Sequence, residues 1–455
     1  VPCDRILRTA VDEGADLVGL SGLITPSLDE MVFVAGEMKR RGMPTPLLIG
    51  GATTSRQHTA VKIAPAFDGS TVHVVDASRV VDVVSGLLNP GRRAAFDADN
   101  RADQARLRAQ FARRGERKLA TYAEAQVRPF RTDWEAAELP VPAFTGGRTV
   151  EAALDELVPY IDWTFFFAAW ELKGRFPTIL DDPSQGAAAS ELYDHARELL
   201  AEIIAARSLT ARGVYGFWPA NADSEDVVLL EPDTSAATGA AEVARFPMLR
   251  QQESFGDDRP YRSLADFVAP RDLGLTDHVG AFAVTAGIGV GALVERYERE
   301  HDDYRAIMVK ALADRLAEAF AEMLHARVRR EWGYESGEAP SNEDLIAERY
   351  RGIRPAFGYP ACPDHSEKFK LFDLLDARGA GLDLTESAAM TPAASVSGLY
   401  FAHPQSRYFT VGRIGADQVA AYATRKGLPV VEVERWLAAN LAHDPASARA
   451  PVAAG

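Results

Sequence analysis

Cysteine is almost absent from this chain of 455 residues: Cys3 and Cys362 are the only two, too few for a disulfide framework. No apolar secretory stretch precedes them, so a reducing cytoplasm is the compartment that fits. Long hydrophobic runs are missing too. The longest uncharged apolar stretch, residues 281–294, is broken by glycines and a threonine and is too short to span a bilayer, which excludes a membrane segment. No block of positive charge occurs, and 50 Lys plus Arg against 65 Asp plus Glu leave a net charge of −15. Nucleic acid is thereby excluded as a partner. What is present is 47% hydrophobic content, enough to bury cores in about two to four domains. The chain opens on Val1 rather than methionine and reaches an apolar strand soon after, which suggests part of a longer polypeptide.

The first ninety or so residues alternate between strand and helix patterns. The spacing predicts strands over 15–24, 46–49 and 71–75, and helices over 27–41, 55–64 and 78–88. Ser27 with Glu30 forms a capping-box pattern, and Gly42 stands where the first of these helices ends. Such a βαβαβα order implies a parallel, doubly wound α/β sheet of the Rossmann or flavodoxin type. Ligands of such sheets lie outside the carboxyl ends of the strands, where Ser21, Thr25, Gly50, Gly51 and Ala77 fall. For Ser21 the competing reading is a hydroxyl bonded within its own sheet, and for Thr25 a cap ahead of Pro26. His58 reads as helix surface and His73 as strand.

Asn89-Pro90-Gly91 ends that pattern. Residues 92–126, rich in Ala, Arg, Asp and Glu, read as a solvated, charged helical linker, so the domains are expected at 1–98, 99–126 (linker) and 127–455. Beyond the linker the patterns mix. Residues 304–332 carry apolar side chains at Met308, Leu312, Leu316, Phe320, Leu324 and Val328, an amphipathic helix with Asp302 and Asp303 as cap and dipole charge. Short strands are expected over 227–230 and 408–413, which makes this larger part α+β. Gly287, Gly289 and Gly291 mimic a dinucleotide fingerprint with the wrong spacing.

The segment least like scaffold runs from Arg354 to His365, Arg-Pro-Ala-Phe-Gly-Tyr-Pro-Ala-Cys-Pro-Asp-His. Its prolines disfavour helix and stiffen the loop. Arg354 offers a planar fork for a carboxylate, Tyr359 a flat face, and Gly358 a backbone that a ligand can approach closely. These suit a small zwitterion bearing an aromatic base. The competing reading is a surface crossing with a solvated arginine.

Residues 19–31 (Gly-Leu-Ser-Gly-Leu-Ile-Thr-Pro-Ser-Leu-Asp-Glu-Met) and 49–55 (Ile-Gly-Gly-Ala-Thr-Thr-Ser) closely resemble the cobalamin-binding domain of the cobalamin-dependent methionine synthase family. Residues 160–164 (Tyr-Ile-Asp-Trp-Thr), 314–320, 354–365 and 397–401 (Ser-Gly-Leu-Tyr-Phe) resemble the same family's C-terminal activation domain, which binds S-adenosylmethionine. The resemblance implies that Arg354 takes the ligand's carboxylate and Asp162 its ammonium, with Tyr359, Tyr400 and Phe401 supplying adenine and backbone contacts. His365 is implied beside the ligand or the cobalamin. In the first part, Ser21, Thr25, Gly50, Gly51 and Ala77 are implied around the cobalamin. Without the resemblance, Asp162 is one acid in an aromatic-rich stretch.

Two departures stand out. The family's Asp-x-His-x-x-Gly motif, whose histidine ligates cobalt, is absent, so no metal ligand is assigned in this chain. Phe357 stands where the family usually has proline. The implied activity is reductive reactivation of cob(II)alamin by methyl transfer from S-adenosylmethionine, an in-line displacement that needs alignment more than acid–base help. It would support methyl transfer from 5-methyltetrahydrofolate to homocysteine. The implied partners are a flavodoxin-type electron donor and the homocysteine module (with its zinc) and folate module, which this chain does not contain. Two alternatives remain: a stand-alone corrinoid-binding reactivation subunit, and a regulatory module that binds S-adenosylmethionine only.

Overall fold

The computed structural model describes residues 2–22, 26–51, 54–74, 80–114, 118–232, 241–254, 256–335, 344–345 and 349–445. Two compact units emerge: one comprises Val1–Leu119, Glu253–Asp257 and Glu434–Leu441, the other Ala120–Gln252, Asp258–Val433 and Ala442–Gly455. Among the described residues no helix is long and apolar enough to cross a membrane.

In the first unit, strands β1 (Val18–Ser21), β2 (Leu47–Gly50) and β3 (Thr71–His73) lie parallel in that order. Side chains alternate across a strand. Leu47 and Ile49 therefore face a core shared with α1 (Cys3–Asp12) and α2 (Pro26–Arg40), through Leu7, Met31 and Met38. Leu48 and Val72 face the opposite core, with Leu87 of α3 (Val80–Leu88) and Phe96 of α4 (Arg93–Arg114). A strand covered on both faces must be apolar throughout, which is why β2 reads as an unbroken run.

Three expectations change here. The helix expected over 55–64 is a single α-turn at Arg56–His58, a wider π-type turn at Thr59–Ile63 and a tight turn at Ala64–Ala66. Pro65, which lacks a backbone N–H, stops it from continuing. His58 is half-buried rather than on the surface, and burial lowers its pKa. Most of the segment read as a solvated linker, apart from the short α5 (Tyr122–Val127) at its end, is α4, which packs onto the sheet instead. Its Asn100 and Gln104 amides donate to the Thr71 carbonyl at 2.9 and 2.7 Å, capping a strand-end acceptor at the sheet edge. A low content of large apolar groups concealed this contact, because it is made by amides.

The second unit is built on one antiparallel six-stranded sheet. Its strands are β4 (Gly146–Ala152), β5 (Thr210–Asp223), β6 (Asp226–Leu230), β7 (Glu242–Pro247), β8 (Asp277–Ile288) and β9 (Ser395–Tyr400), in the order β9-β8-β5-β6-β7, with β4 also pairing with β5. β8 lies between β9 and β5 and is buried along nearly its whole length. Phe282 and Val284 face one core and Val279, Ala281 and Ala283 the other, which accounts for the uncharged run in the sequence.

The first of those cores holds α6 (Trp163–Ala169), α7 (Gly186–Ala206), α8 (Val290–Arg299) and α9 (Asp303–Glu331). All six stripe residues of α9 are buried, and the Asp302 carboxylate caps it by accepting from the Arg305 N–H at 2.9 Å. Gly289, at φ +100°, opens α8 directly after β8. A side chain there would strike the Ser208 carbonyl, and one at Gly287 would strike Pro392, so these two glycines serve close packing. The second core holds α10 (Glu367–Leu375) and the 353–362 segment. The strand expected over 408–413 does not form. That stretch is held instead by single bonds, the Val411 N–H donating to the Pro360 carbonyl at 2.8 Å and the Gln251 amide to the Thr410 carbonyl at 2.8 Å.

Candidate functional site

β9 is an edge strand, and the 353–362 segment runs along its open side. Ile353 pairs with Phe401, and the Pro355 carbonyl accepts from the Leu399 N–H at 3.0 Å. The chain then folds into a tight turn, with the Gly358 N–H donating to the Cys362 carbonyl at 2.8 Å and the Cys362 N–H to the Tyr359 carbonyl at 3.0 Å. Gly358 sits at φ +94°, and a Cβ there would fall inside the His365 ring, so only glycine fits. The Cys362 thiol donates to the Ala356 carbonyl at 3.0 Å, and burial pushes its pKa up, keeping it an unreactive structural thiol. Phe357 is buried and stacks on Phe246 with ring centroids 5.5 Å apart. Packing into the second core thus replaces the rigidity a proline would have given.

The turn's foot is pinned from behind. Asp364 accepts from the Lys426 ammonium at 2.5 Å, the Tyr422 hydroxyl at 3.0 Å and the Ser366 hydroxyl at 2.6 Å. Lys426 ends α11 (Ala416–Lys426) and also pairs with Glu367 at 2.6 Å. Burial alone would raise the Asp364 pKa, but Lys426 and Ser366 hold it below the ordinary range.

Between this turn, β9 and α9 lies a cavity of about 500 Å³, lined among others by Glu318, Arg354, Tyr359, Lys368, Met390 and Phe409. Such a volume suits a small organic ligand. Arg354 reaches it from a partly buried position. Its guanidinium donates to Glu322 at 2.5 Å, to the Tyr350 hydroxyl at 2.8 Å and to His325 Nδ1 at 3.1 Å, while its backbone N–H donates to the Tyr408 hydroxyl at 3.1 Å. His325 is fully buried beside this cation, so its pKa lies well below the usual histidine value and the ring is a neutral acceptor. Tyr359 is 62% exposed at the mouth, and Glu318 is the acid of α9 that lines the cavity.

Over residues 153–427 the chain matches the family described as vitamin B12 dependent methionine synthase, activation domain. The chain belongs to this family. It is also similar to a solved protein described as the MetH reactivation domain bound to AdoHcy, at 48% sequence identity and a TM-score of 0.69, with 72% of this chain and 99% of that chain covered.

Within this activation domain the expected site residues separate. Arg354 and Tyr359 come together at the cavity. Tyr400 and Phe401 are both buried, and their side chains do not line the cavity. Tyr400 stacks between Phe282 and His325, with ring centroids at 4.5 and 5.1 Å. His365 supports Gly358 and sits 3.1 Å from the Lys368 ammonium. Asp162 is the N-cap of α6, accepting from the Thr164 N–H at 2.9 Å, and does not line the cavity. Its replacement by alanine is expected to lower stability by about 1 kcal/mol in urea denaturation, and asparagine to restore it, since both Asp and Asn cap well.

In the first unit, Ser21, Gly50 and Gly51 adjoin at the carboxyl ends of β1 and β2, with the Gly22 N–H donating to the Gly50 carbonyl at 2.9 Å. Gly51 has φ +102°, and a Cβ there would strike the Gly22 backbone. Thr25 and Ala77 lie outside the described residues. His73 is half-buried, its Nε2 3.1 Å from the Thr54 hydroxyl.

Sequence reasoning missed Glu318, Glu322 and Lys368. Glu318 and Glu322 are one helical turn apart on α9, and two acids at that spacing beside an apolar stripe were the available signal. Lys368 carried none, because only the fold brings it to the cavity.

Proposed function

We propose that the cavity at Arg354 binds S-adenosylmethionine and that the chain serves reductive reactivation of cob(II)alamin, in support of methionine formation from homocysteine and 5-methyltetrahydrofolate. The observation that carries this is the Arg354–Tyr359 turn lining a ligand-sized cavity in a chain 48% identical to a domain bound to AdoHcy. S-adenosylmethionine supplies a sulfonium methyl, whose transfer is a displacement governed by alignment. The protein's residues supply that alignment. Arg354, fixed from behind by Glu322 and Tyr350, presents a charged donor to the ligand carboxylate, and Glu318 places negative charge at the mouth, favouring a sulfonium or an ammonium.

The first unit's parallel strands end in Ser21, Gly50 and Gly51, which suit a cobalamin lying across those ends in a Rossmann-like crevice. The electron donor is a flavodoxin-type protein, and the setting a cytoplasm that keeps Cys3 and Cys362 reduced. The test is transfer of labelled methyl from S-adenosylmethionine to added cob(II)alamin under reduction. The chain should accelerate transfer, and a rate equal to that without protein would contradict the proposal. Asp162→Asn retains the helix cap, so a role for Asp162 at the ligand's ammonium predicts unchanged unfolding with about tenfold weaker AdoHcy binding, the worth of a charge-assisted hydrogen bond.

A further inference from the structure

The cavity contains a second cation. Lys368, on α10, lines it while only 7% exposed, and its ammonium lies 3.2 Å from the Ala388 carbonyl and 3.1 Å from His365 Nδ1. Those acceptors use two of its three N–H donors. Among the described residues no carboxylate pairs with it, in contrast to Lys426, which is equally deep and has two. A buried ammonium without a counter-charge is costly, and burial lowers its pKa to about 8.

Its place along the cavity follows from β9. Ile353 pairs with Phe401 and Pro355 bonds Leu399, so Arg354 sits at the carboxyl end of that strand. At the other end, the Ser397 hydroxyl donates to Met390 Sδ at 3.3 Å, and Lys368 is bonded two residues earlier at Ala388. Three to four residues of strand, roughly 10–13 Å, separate Ser397 from the Ile353–Phe401 bridge beside Arg354. Leu399 and Phe401 direct their N–H groups outward to Pro355 and Ile353, so by alternation Ser397 directs its own N–H and C=O to the same edge. The Lys368 end therefore offers a cationic donor beside a backbone donor and acceptor.

We propose that Lys368 recognises the nucleoside end of the ligand, donating a hydrogen bond to an acceptor atom of its adenosine moiety while Arg354 holds the carboxylate at the other end. This rests on the reading of the cavity as a site for S-adenosylmethionine. That ligand has one carboxylate, which Arg354 takes, and its sulfonium and ammonium repel a lysine. The acceptors left are ribose oxygens and purine nitrogens.

The test is displacement of labelled AdoHcy by adenosine or by methionine, on the unmodified chain and on Lys368→Met. The variant is expected to weaken AdoHcy and adenosine alike by about tenfold or more, the worth of a hydrogen bond from a charged donor, and to leave methionine unchanged. A turn merely disturbed by the substitution would weaken methionine as well, because Arg354 is on the same segment, and that result overturns the proposal. Unchanged AdoHcy affinity overturns it too, leaving the site itself intact. Failure of the unmodified chain to bind AdoHcy overturns both. A second arm needs no variant. Adenosine affinity of the unmodified chain should fall as pH rises through about 8, where Lys368 loses its proton. His365, lowered to about 4, and Cys362, raised by burial, do not titrate in that window, and a flat profile would contradict the assignment.

Discussion

Lys426→Met is expected to lower the unfolding free energy by about 3–5 kcal/mol, the cost of leaving the buried Asp364 carboxylate without its cation, while Glu367 keeps Lys370 at 2.9 Å. Lys426, Asp364 and Glu367 all have side chains at most 3% exposed, and the ammonium lies 2.5 and 2.6 Å from the two acids. Methionine matches the stem in volume but supplies no charge, so Asp364 would retain only the Tyr422 and Ser366 hydroxyls and the Ser366 N–H. The pH dependence has a definite sign. Asp364 has its pKa lowered on folding, so its contribution is present above about pH 4 and is lost as pH falls through the folded value. Lys426 has its pKa raised, so its contribution holds below about pH 10 and is lost as pH rises through the folded value. Urea denaturation at neutral pH, repeated in acid and again above about pH 10, measures both effects. An unchanged midpoint in the variant would show that α11 does not anchor the turn.

Arg354→Lys separates charge from geometry at the cavity. A lysine keeps a cation opposite Glu322, which is itself largely buried, so the fold should survive with a small loss of stability. It cannot reproduce the fork that at once donates to Glu322, Tyr350 and His325 and faces the cavity. AdoHcy affinity is expected to fall about 10- to 100-fold, the worth of one hydrogen bond to a charged group, while thermal unfolding shifts little. Equal affinities in titration calorimetry would remove Arg354 from the ligand.

Much of this was legible from residue patterns. The parallel order of β1, β2 and β3 followed from βαβ alternation, and α9 from the stripe Met308 to Val328 capped by Asp302, because burial writes its period directly into sequence. The stiff turn at 354–365 was visible in its prolines and Gly358. What remained hidden was set by long-range contact. Tyr400 and Phe401 were placed at the ligand, yet their side chains are buried and do not line the cavity, since a strand's sequence does not say which partner covers each face. Asp162 carries a cap role that a short aromatic helix demands, α4 docks through amides, and the segment at 408–413 is held by single bonds in place of a ladder. Lys368 reaches the cavity through α10, whose register against β9 no local pattern reports.

The cavity lined by Arg354 and Lys368 is the proposed site of S-adenosylmethionine. A crystal structure of the chain with AdoHcy tests it most directly. The ligand is expected along the β9 edge, its carboxylate on the Arg354 guanidinium and its adenosine at Lys368 and Ser397. A ligand bound elsewhere, with Arg354 still directed only to Glu322, Tyr350 and His325, would contradict it.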